Sequence, residues 1–331
     1  MKISIKKILS VLLCALILMP TIVACSNENK ENTVIIYTST EDYRIDDFKA
    51  TLKEKFPNYE IKIEYMNTGT IGAKLKTEGT STECDIIWSL EYGYLSQLAE
   101  ENILADISDY DLSVFTDDAN ISDNFIVDVR NGGAIIVDTE ALEEKNLPVP
   151  KSYEDLLKPE YKGLICMPSP KSSGTGYMFL KSLVNEMGED EAFAYFEKLN
   201  ENVYSYTSSG SGPVNALFNK EAVIGLGMVS QAVNKINSGA SFDILFFEEG
   251  APYSLYGNAM IEGKQANPAV KEVFDFIVNE YTKTVNEKFF PEKIFKDFSP
   301  TVNNYPSDIK YSNMSNDTMA EKDRLLSKWK Y

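Results

Sequence analysis

Histidine is absent from the 331 residues, and that absence removes more chemistry than any other feature of the composition. Without imidazole there is no Ser-His-Asp or Cys-His nucleophilic machinery, no zinc site built on histidine and no histidine pH sensor. Positive charge is also scarce. Against 50 Asp and Glu stand 32 Lys and Arg, a formal charge of −18, so the basic footprint that broad nucleic-acid contact requires is missing. The main hydrophobic stretch, Ile8 to Met19, falls short of the roughly 18 apolar residues that suggest a membrane span. Cysteine is limited to four residues. Catalysis by paired carboxylates or by lysine survives these exclusions, as does a purely binding role. The composition, 44% hydrophobic with 11% aromatic, is that of a folded chain, and its length suits two globular units.

Lys2, Lys6 and Lys7 precede the apolar stretch, the charge pattern of a secretory signal peptide over residues 1–24. Its end, Ile22-Val23-Ala24-Cys25, resembles the lipobox of bacterial lipoproteins. That resemblance implies cleavage before Cys25 and a diacylglyceryl thioether on its sulfur, with residues 25–32 as a polar, lipid-anchored tether. Cleavage removes three lysines and leaves the mature chain more acidic still. An anionic membrane surface repels such a chain, so the anchor must hold it there. Cys84 and Cys166 remain, each beside a strand-like apolar run. A disulfide suits an exported protein, but two buried free thiols in separate lobes are expected.

Thr33-Val34-Ile35-Ile36-Tyr37-Thr38 has the β-branched, apolar character of a buried parallel strand. Ile45, Phe48, Leu52 and Phe56 follow at helical spacing, stopped by Pro57, and alternation from Tyr59 to Tyr65 predicts a second strand. Strand, helix, strand is a right-handed βαβ unit. Further strands are expected at 85–88, 134–137, 164–167, 203–206, 223–227 and 244–247, with helices between them. Asn267-Pro268 starts a late helix. The whole predicts an α/β fold. No linker separates two halves, so the chain is expected to cross between lobes more than once.

In open α/β sheets, ligands bind outside the carboxyl ends of strands. The loops there hold Ser39, Thr40, Glu41 and Asp42; Thr68, Gly69 and Thr70; Ser89 and Glu91; Ser172, Ser173, Gly174 and Thr175; and Ser208 and Ser209. They are rich in hydroxyls and poor in cations. Ser173-Gly174-Thr175 opens a helix, which aims N–H donors and the positive dipole end at one point and suits an oxyanion; plain helix capping by serine is the competing reading. No Gly-Lys-Ser/Thr follows, so it is not a Walker loop, and Gly225-Leu226-Gly227 lacks the rest of a dinucleotide fingerprint. Tyr206 and Trp88 can wall a pocket, whereas Tyr204 reads as core. Glu91 and Glu248 could meet a ligand amine, although most such carboxylates are simply solvated. Tyr253 and Tyr256 follow the last expected strand and could border the cleft.

Several stretches, in order, resemble the extracellular solute-binding proteins of ABC importers, and within them the branch for ferric ion, 2-aminoethylphosphonate and phosphorylated sugars. They are Val34 to Ser39, Cys84 to Ser89, the run Leu157-Lys158-Pro159-Glu160-Tyr161-Lys162-Gly163, then Ser172-Ser173-Gly174-Thr175-Gly176, and Asn267-Pro268-Ala269-Val270. The resemblance implies a two-lobed, type II periplasmic-binding-protein-like α/β fold with two hinge crossings and closure on ligand. Lobe 1 is expected from 33–135 with 250–331, and lobe 2 from 136–249. It implies no cofactor and no catalysis, a small-molecule ligand, an ABC permease as partner, and a monomer. Binding positions carried over are Ser39, Thr40, Thr68 to Thr70, Ser89, Ser173 to Thr175, Ser208 and Ser209. Ferric-ion binders of this branch place an adjacent tyrosine pair where this chain reads Met228-Val229-Ser230, and hard ferric ion wants several anionic oxygens; iron is therefore disfavoured. Polyamine binders share the wider fold but need a carboxylate-rich slot. A carboxylate-pair hydrolase is the enzymatic alternative, and no spacing singles out its pair. The ligand expected is a phosphonate or phosphorylated organic anion. For the anchor, Cys25→Ala is expected to release the protein into the medium on fractionation; retention in the membrane fraction would contradict the lipoprotein reading.

Overall fold

The computed structural model describes residues 32–119 and 121–331; the expected signal peptide and Cys25 lie outside them. Nine strands lie among the described residues: β1 (Thr33–Thr38), β2 (Glu60–Tyr65), β3 (Ile86–Glu91), β4 (Ile126–Asp138), β5 (Ile165–Pro168), β6 (Val203–Thr207), β7 (Ile224–Met228), β8 (Phe242–Leu245) and β9 (Tyr253–Met260). β1 pairs in parallel with β2, Val34 opposite Ile61, and with β3, Ile36 opposite Ile86. The continuous apolar runs of β1 and β3 are largely buried, and the alternating β2 is the half-exposed edge. The helix α1 (Asp42–Lys55) buries the face read from its spacing, Ile45, Phe48 and Leu52. Phe48 stacks between Trp88 and Tyr281, each at 4.3 Å. After β2 comes α2 (Thr68–Glu78), and after β3 comes α3 (Tyr92–Glu100).

β4 holds the two halves together. Its first part, from Ile126 to Gly132, pairs antiparallel with β9; from Gly133 to Val137 it pairs with β7, and Ile135 to Asp138 pair with β8. The sheet thus runs β2-β1-β3-β9-β4 and on through β7-β5-β6. At the changeover, a Cβ on Gly133 would lie 2.7 Å from Met178 and 2.9 Å from Pro252, so only glycine fits where the lobes meet. Residues 246–252 provide the return crossing into β9. This is the expected α/β, type II two-lobed architecture.

In the second half, α4 (Thr139–Glu144), α5 (Gly174–Met187), α6 (Glu189–Leu199), α7 (Gly212–Phe218) and α8 (Val229–Asn237) pack around β5 to β8. Two apolar clusters form there, one around Phe179, Phe196 and Leu226 and one around Val214, Val229 and Phe242, whereas the first lobe's core runs from Val34 to Val129 and from Tyr256 to Phe295. After β9 come α9 (Pro268–Phe276), α10 (Thr282–Lys288) and the C-terminal α11 (Met319–Lys328). Asn267 caps α9 by accepting from the Ala269 N–H at 3.0 Å.

The C-terminal segment does not stay with the first lobe. Val302, Tyr305 and Ile309 pack on one second-lobe cluster, and Leu325 and Trp329 enter the other. The packing therefore favours a division in which 302–331 joins 136–249, in place of the expected grouping of 250–331 as a whole with 33–135. Two strand assignments also change. β4 begins eight residues earlier than the strand expected from 134, because Asp128, Arg130 and Asn131 break its apolar pattern, and β9 is a strand beyond the last one expected. Tyr204, expected in the core, is 54% exposed on the edge strand β6. Cys84 and Cys166 are free, buried in separate cores, and burial pushes Cys166 up to about 12, so neither is a reactive thiolate. Among the described residues no helix is long and apolar enough to cross a membrane.

Trp329 is 2% exposed and meets Phe196 edge-on at 5.1 Å. Trp329→Ala is expected to cost about 3–5 kcal/mol, read as a lower denaturant midpoint; an unchanged midpoint would contradict this packing of the C-terminus.

Candidate functional site

The carboxyl ends of β1 and β3 and the N-terminus of α2 face the N-terminus of α5 and the loop after β6 across the hinge strands. Ser39, Thr40, Thr68 and Ser89 from the first lobe meet Ser173, Gly174, Thr175 and Ser209 from the second. The cavity between them is small, about 30 Å³, room for a few waters. A Cβ on Gly174 would lie 2.8 Å from the Tyr256 hydroxyl; the bare backbone lets the two lobes touch here. Ser173 caps α5, its Oγ accepting from the Gly176 N–H at 3.4 Å, and this 14-residue helix directs its dipole at the cavity. Both readings of the Ser-Gly-Thr loop therefore coexist: the capping serine also lines the cavity.

Ser89 occupies a left-handed backbone conformation, φ 58°, at an irregularity in the β3–β9 pairing. Its N–H donates to Asn258 Oδ1 at 2.9 Å. A non-glycine residue held there is strained, and such strain gathers where a side chain must be aimed.

The sequence reading overlooked the cavity's cation. Arg44, 2% exposed, lies in the first turn of α1, and side chains on a helix lean toward its N-terminus, which turns the guanidinium back into the cavity. It sits over Trp88 and Phe290, 5.4 and 4.9 Å from the ring centroids. Its Nη1 reaches Glu41 at 3.4 Å and Nη2 reaches Ser89 Oγ at 3.5 Å, while Nε has no partner among the described residues. These are long contacts at the limit of a hydrogen bond, and they leave donor capacity unspent. A cation in the first turn of a helix opposes the dipole; that misplaced charge was the available signal. Glu41 and, from the hinge strands, Asn131 and Tyr256 also line the cavity. Asn131 Oδ1 and Ser39 Oγ are likewise buried without partners among the described residues. Burial, then Glu91 and Glu41, hold the Tyr256 hydroxyl well above the usual tyrosine range, so it stays a neutral donor.

The remaining expected site residues lie elsewhere. Gly69 and Thr70 face an outer groove with Lys74 and Lys171. Tyr206 packs on Trp329 and Tyr331, at 6.0 and 5.9 Å, because the C-terminus folds over β6. Ser208 is exposed. Glu248 is exposed too, and its backbone oxygen, not its carboxylate, accepts from Lys310 at 2.8 Å. Glu91 is buried beside the site, but its carboxylate is taken by Lys322 at 2.5 Å.

Comparison with known proteins places these features in context. The family described as bacterial extracellular solute-binding protein matches residues 82–322. A Haemophilus influenzae protein of uncharacterized function is 25% identical over 260 residues, covering 76% of this chain and 74% of that one. Two solved structures share the fold. The periplasmic binding protein AfuA from Actinobacillus pleuropneumoniae, with exogenous fructose-6-phosphate bound, superposes with a TM-score of 0.79 at 22% identity, over 90% of this chain and 97% of its own. The periplasmic binding protein P5PA gives 0.78 at 22% identity, over 90% and 98%.

Asp128 on β4 lies buried near Arg44 and Asn258, with no well-formed hydrogen bond to either carboxylate oxygen among the described residues. Burial raises its pKa from 3.8 to about 6, against the opposing pull of Arg44. A raised carboxyl pKa means the folded state holds the proton more tightly, so stability falls as pH climbs from about 4 to 6 and the loss persists above. Asp128→Asn is therefore expected to stabilise the protein at pH 8, by up to about 3 kcal/mol, and to leave it unchanged at pH 3. Destabilisation at pH 8 on denaturant titration would contradict the assignment.

Proposed function

Because the chain belongs to the family of bacterial extracellular solute-binding proteins, we propose that it is a lipid-anchored receptor that captures a small oxyanion-bearing solute, a phosphonate or phosphate ester, and delivers it to an ABC permease. The observation that carries the reading is the buried Arg44 guanidinium with unspent donors, facing serine and threonine hydroxyls and the positive end of α5. On a chain of net charge −18, an anion needs local donors, and here a fixed cation adds to them. Ligand bridging both lobes shifts the open–closed population by its differential affinity for the closed form. The fructose-6-phosphate held by AfuA is a ligand of this chemical class, which supports the reading.

A guanidinium in the cavity repels ferric ion and polyamines alike, and Met228, Val229 and Ser230 supply no anionic oxygen of the kind iron requires. Membrane attachment through Cys25 and the permease partner rest on the lipobox and on the family.

Calorimetry tests the ligand class with 2-aminoethylphosphonate, fructose-6-phosphate, inorganic phosphate and uncharged fructose. An anion is expected to bind, and Arg44→Ala to weaken it roughly ten- to hundredfold, since hydrogen bonds to charged groups contribute about 1.5–3 kcal/mol; Thr175→Ala should have a smaller effect. Unchanged affinity in Arg44→Ala, or binding of the uncharged sugar alone, would overturn the assignment.

A further inference from the structure

Glu91 and Lys322 form an ion pair that the binding site does not use. Glu91 ends β3 in the first lobe and lies 2% exposed; Lys322 comes from α11 and is 4% exposed along its side chain. Their charged atoms are 2.5 Å apart. The Lys322 ammonium also sits over two aromatic rings, one from each lobe: Tyr94 of α3 at 4.5 Å and Tyr177 of α5 at 4.6 Å. Although α11 contributes this residue to the first lobe, it is fastened to the second. Leu325 is in the second lobe's core, Lys181 of α5 reaches Glu321 at 3.5 Å, and Arg324 reaches Glu189 of α6 at 2.7 Å. The contact is continuous with the site, since a Cβ on Gly174 would lie 3.8 Å from Glu91 Cγ.

We propose that Lys322 is a positioning residue of the solute site: carried on α11, it latches the second lobe to Glu91 of the first and so holds the closed state. The inference rests on lobe closure as the mode of capture, but not on the identity of the solute. The direction of its effect follows from solvation. Two charges taken out of water are tolerated because they meet; removing one leaves the other buried and unpaired, and separation of the lobes relieves that by rehydration. Either single neutralisation therefore favours the open form. Neutralising both removes the buried pair, leaves neither partner stranded, and lets the lobes close again. Burial opposes the charged ammonium, while Glu91, Tyr94 and Asp317 support it, and the net direction is upward, so Lys322 stays charged when the latch is shut. Asp317 adds a further negative charge near the pair.

The test is a distance measurement on the full chain without added ligand. Spin labels are placed on cysteines at exposed Lys49 in the first lobe and Asn219 in the second; the buried Cys84 and Cys166 stay unlabelled, and Cys25 is acylated or replaced by serine. Lys322→Met and Glu91→Gln are each expected to shift the interlabel distribution to longer distances, and the double variant to return it toward wild type. Circular dichroism establishes that each variant is folded; should Lys322→Met not fold, the nearly isosteric Glu91→Gln carries the comparison alone. Distributions that coincide in wild type and single variants would overturn the latch, as would a double variant as open as the singles. No ligand enters either sample, so failure here leaves the oxyanion assignment standing, and failure of the calorimetry leaves the latch standing.

Discussion

One buried positive charge sets the terms for the cleft. Arg44 is held out of water between Trp88 and Phe290, with only long contacts to Glu41 and Ser89. A charge in that position costs free energy unless paired, and the arrangement around it leaves its pairing incomplete. Each neighbouring element answers to that constraint. Ser89 accepts a strained backbone to face it, α5 points its positive end into the same space as a second source of attraction for an anion, and Gly174 lets the opposite lobe approach. On the proposed reading, an anion in the cavity would supply what the guanidinium lacks and give the lobes reason to close.

The hinge makes that closure possible at low cost. β4 belongs to both lobes, changing partners at Gly132 and Gly133 from β9 to β7. A rotation about this point moves whole cores against one another without breaking either, because the apolar clusters divide at the same place. The C-terminal segment crosses after the first core ends near Phe298 and buries Trp329 in the second lobe. A helix that would otherwise be a surface appendage thus spans the lobe boundary beside the ligand cavity.

Much of this was legible in the sequence where one force dominates. Apolar runs such as Val34 to Tyr37, and the helical face Ile45, Phe48, Leu52, reflect burial alone and mapped directly onto β1 and α1. The hydroxyl-rich loops at Ser39, Ser89 and Ser173 stood after strands, where sheet topology brings loops together, and they converge in the structure. Tyr206 and Glu91 illustrate what local pattern conceals. Each lies beside the expected site, but partners far along the chain, Trp329 and Lys322, claim the ring and the carboxylate. Arg44 escaped notice for the opposite reason: flanked by the residues of an amphipathic helix, it read as surface charge, and only its poor fit with the helix dipole marked it. β4 and β9 were partly hidden because strands crossing a hinge carry buried polar residues in and beside the site, Asp128, Asn131 and Asn258, which break the alternation on which strand reading depends.

The central claim is that an oxyanion sits between Arg44 and the N-terminus of α5. The most direct measurement is anomalous diffraction at the selenium edge from crystals of the protein grown with selenate, a tetrahedral dianion. The account predicts a single strong peak within hydrogen-bonding distance of the Arg44 guanidinium and the Thr175 N–H, between closed lobes. Selenate bound elsewhere with the cleft free of signal, or peaks confined to surface lysines, would contradict it.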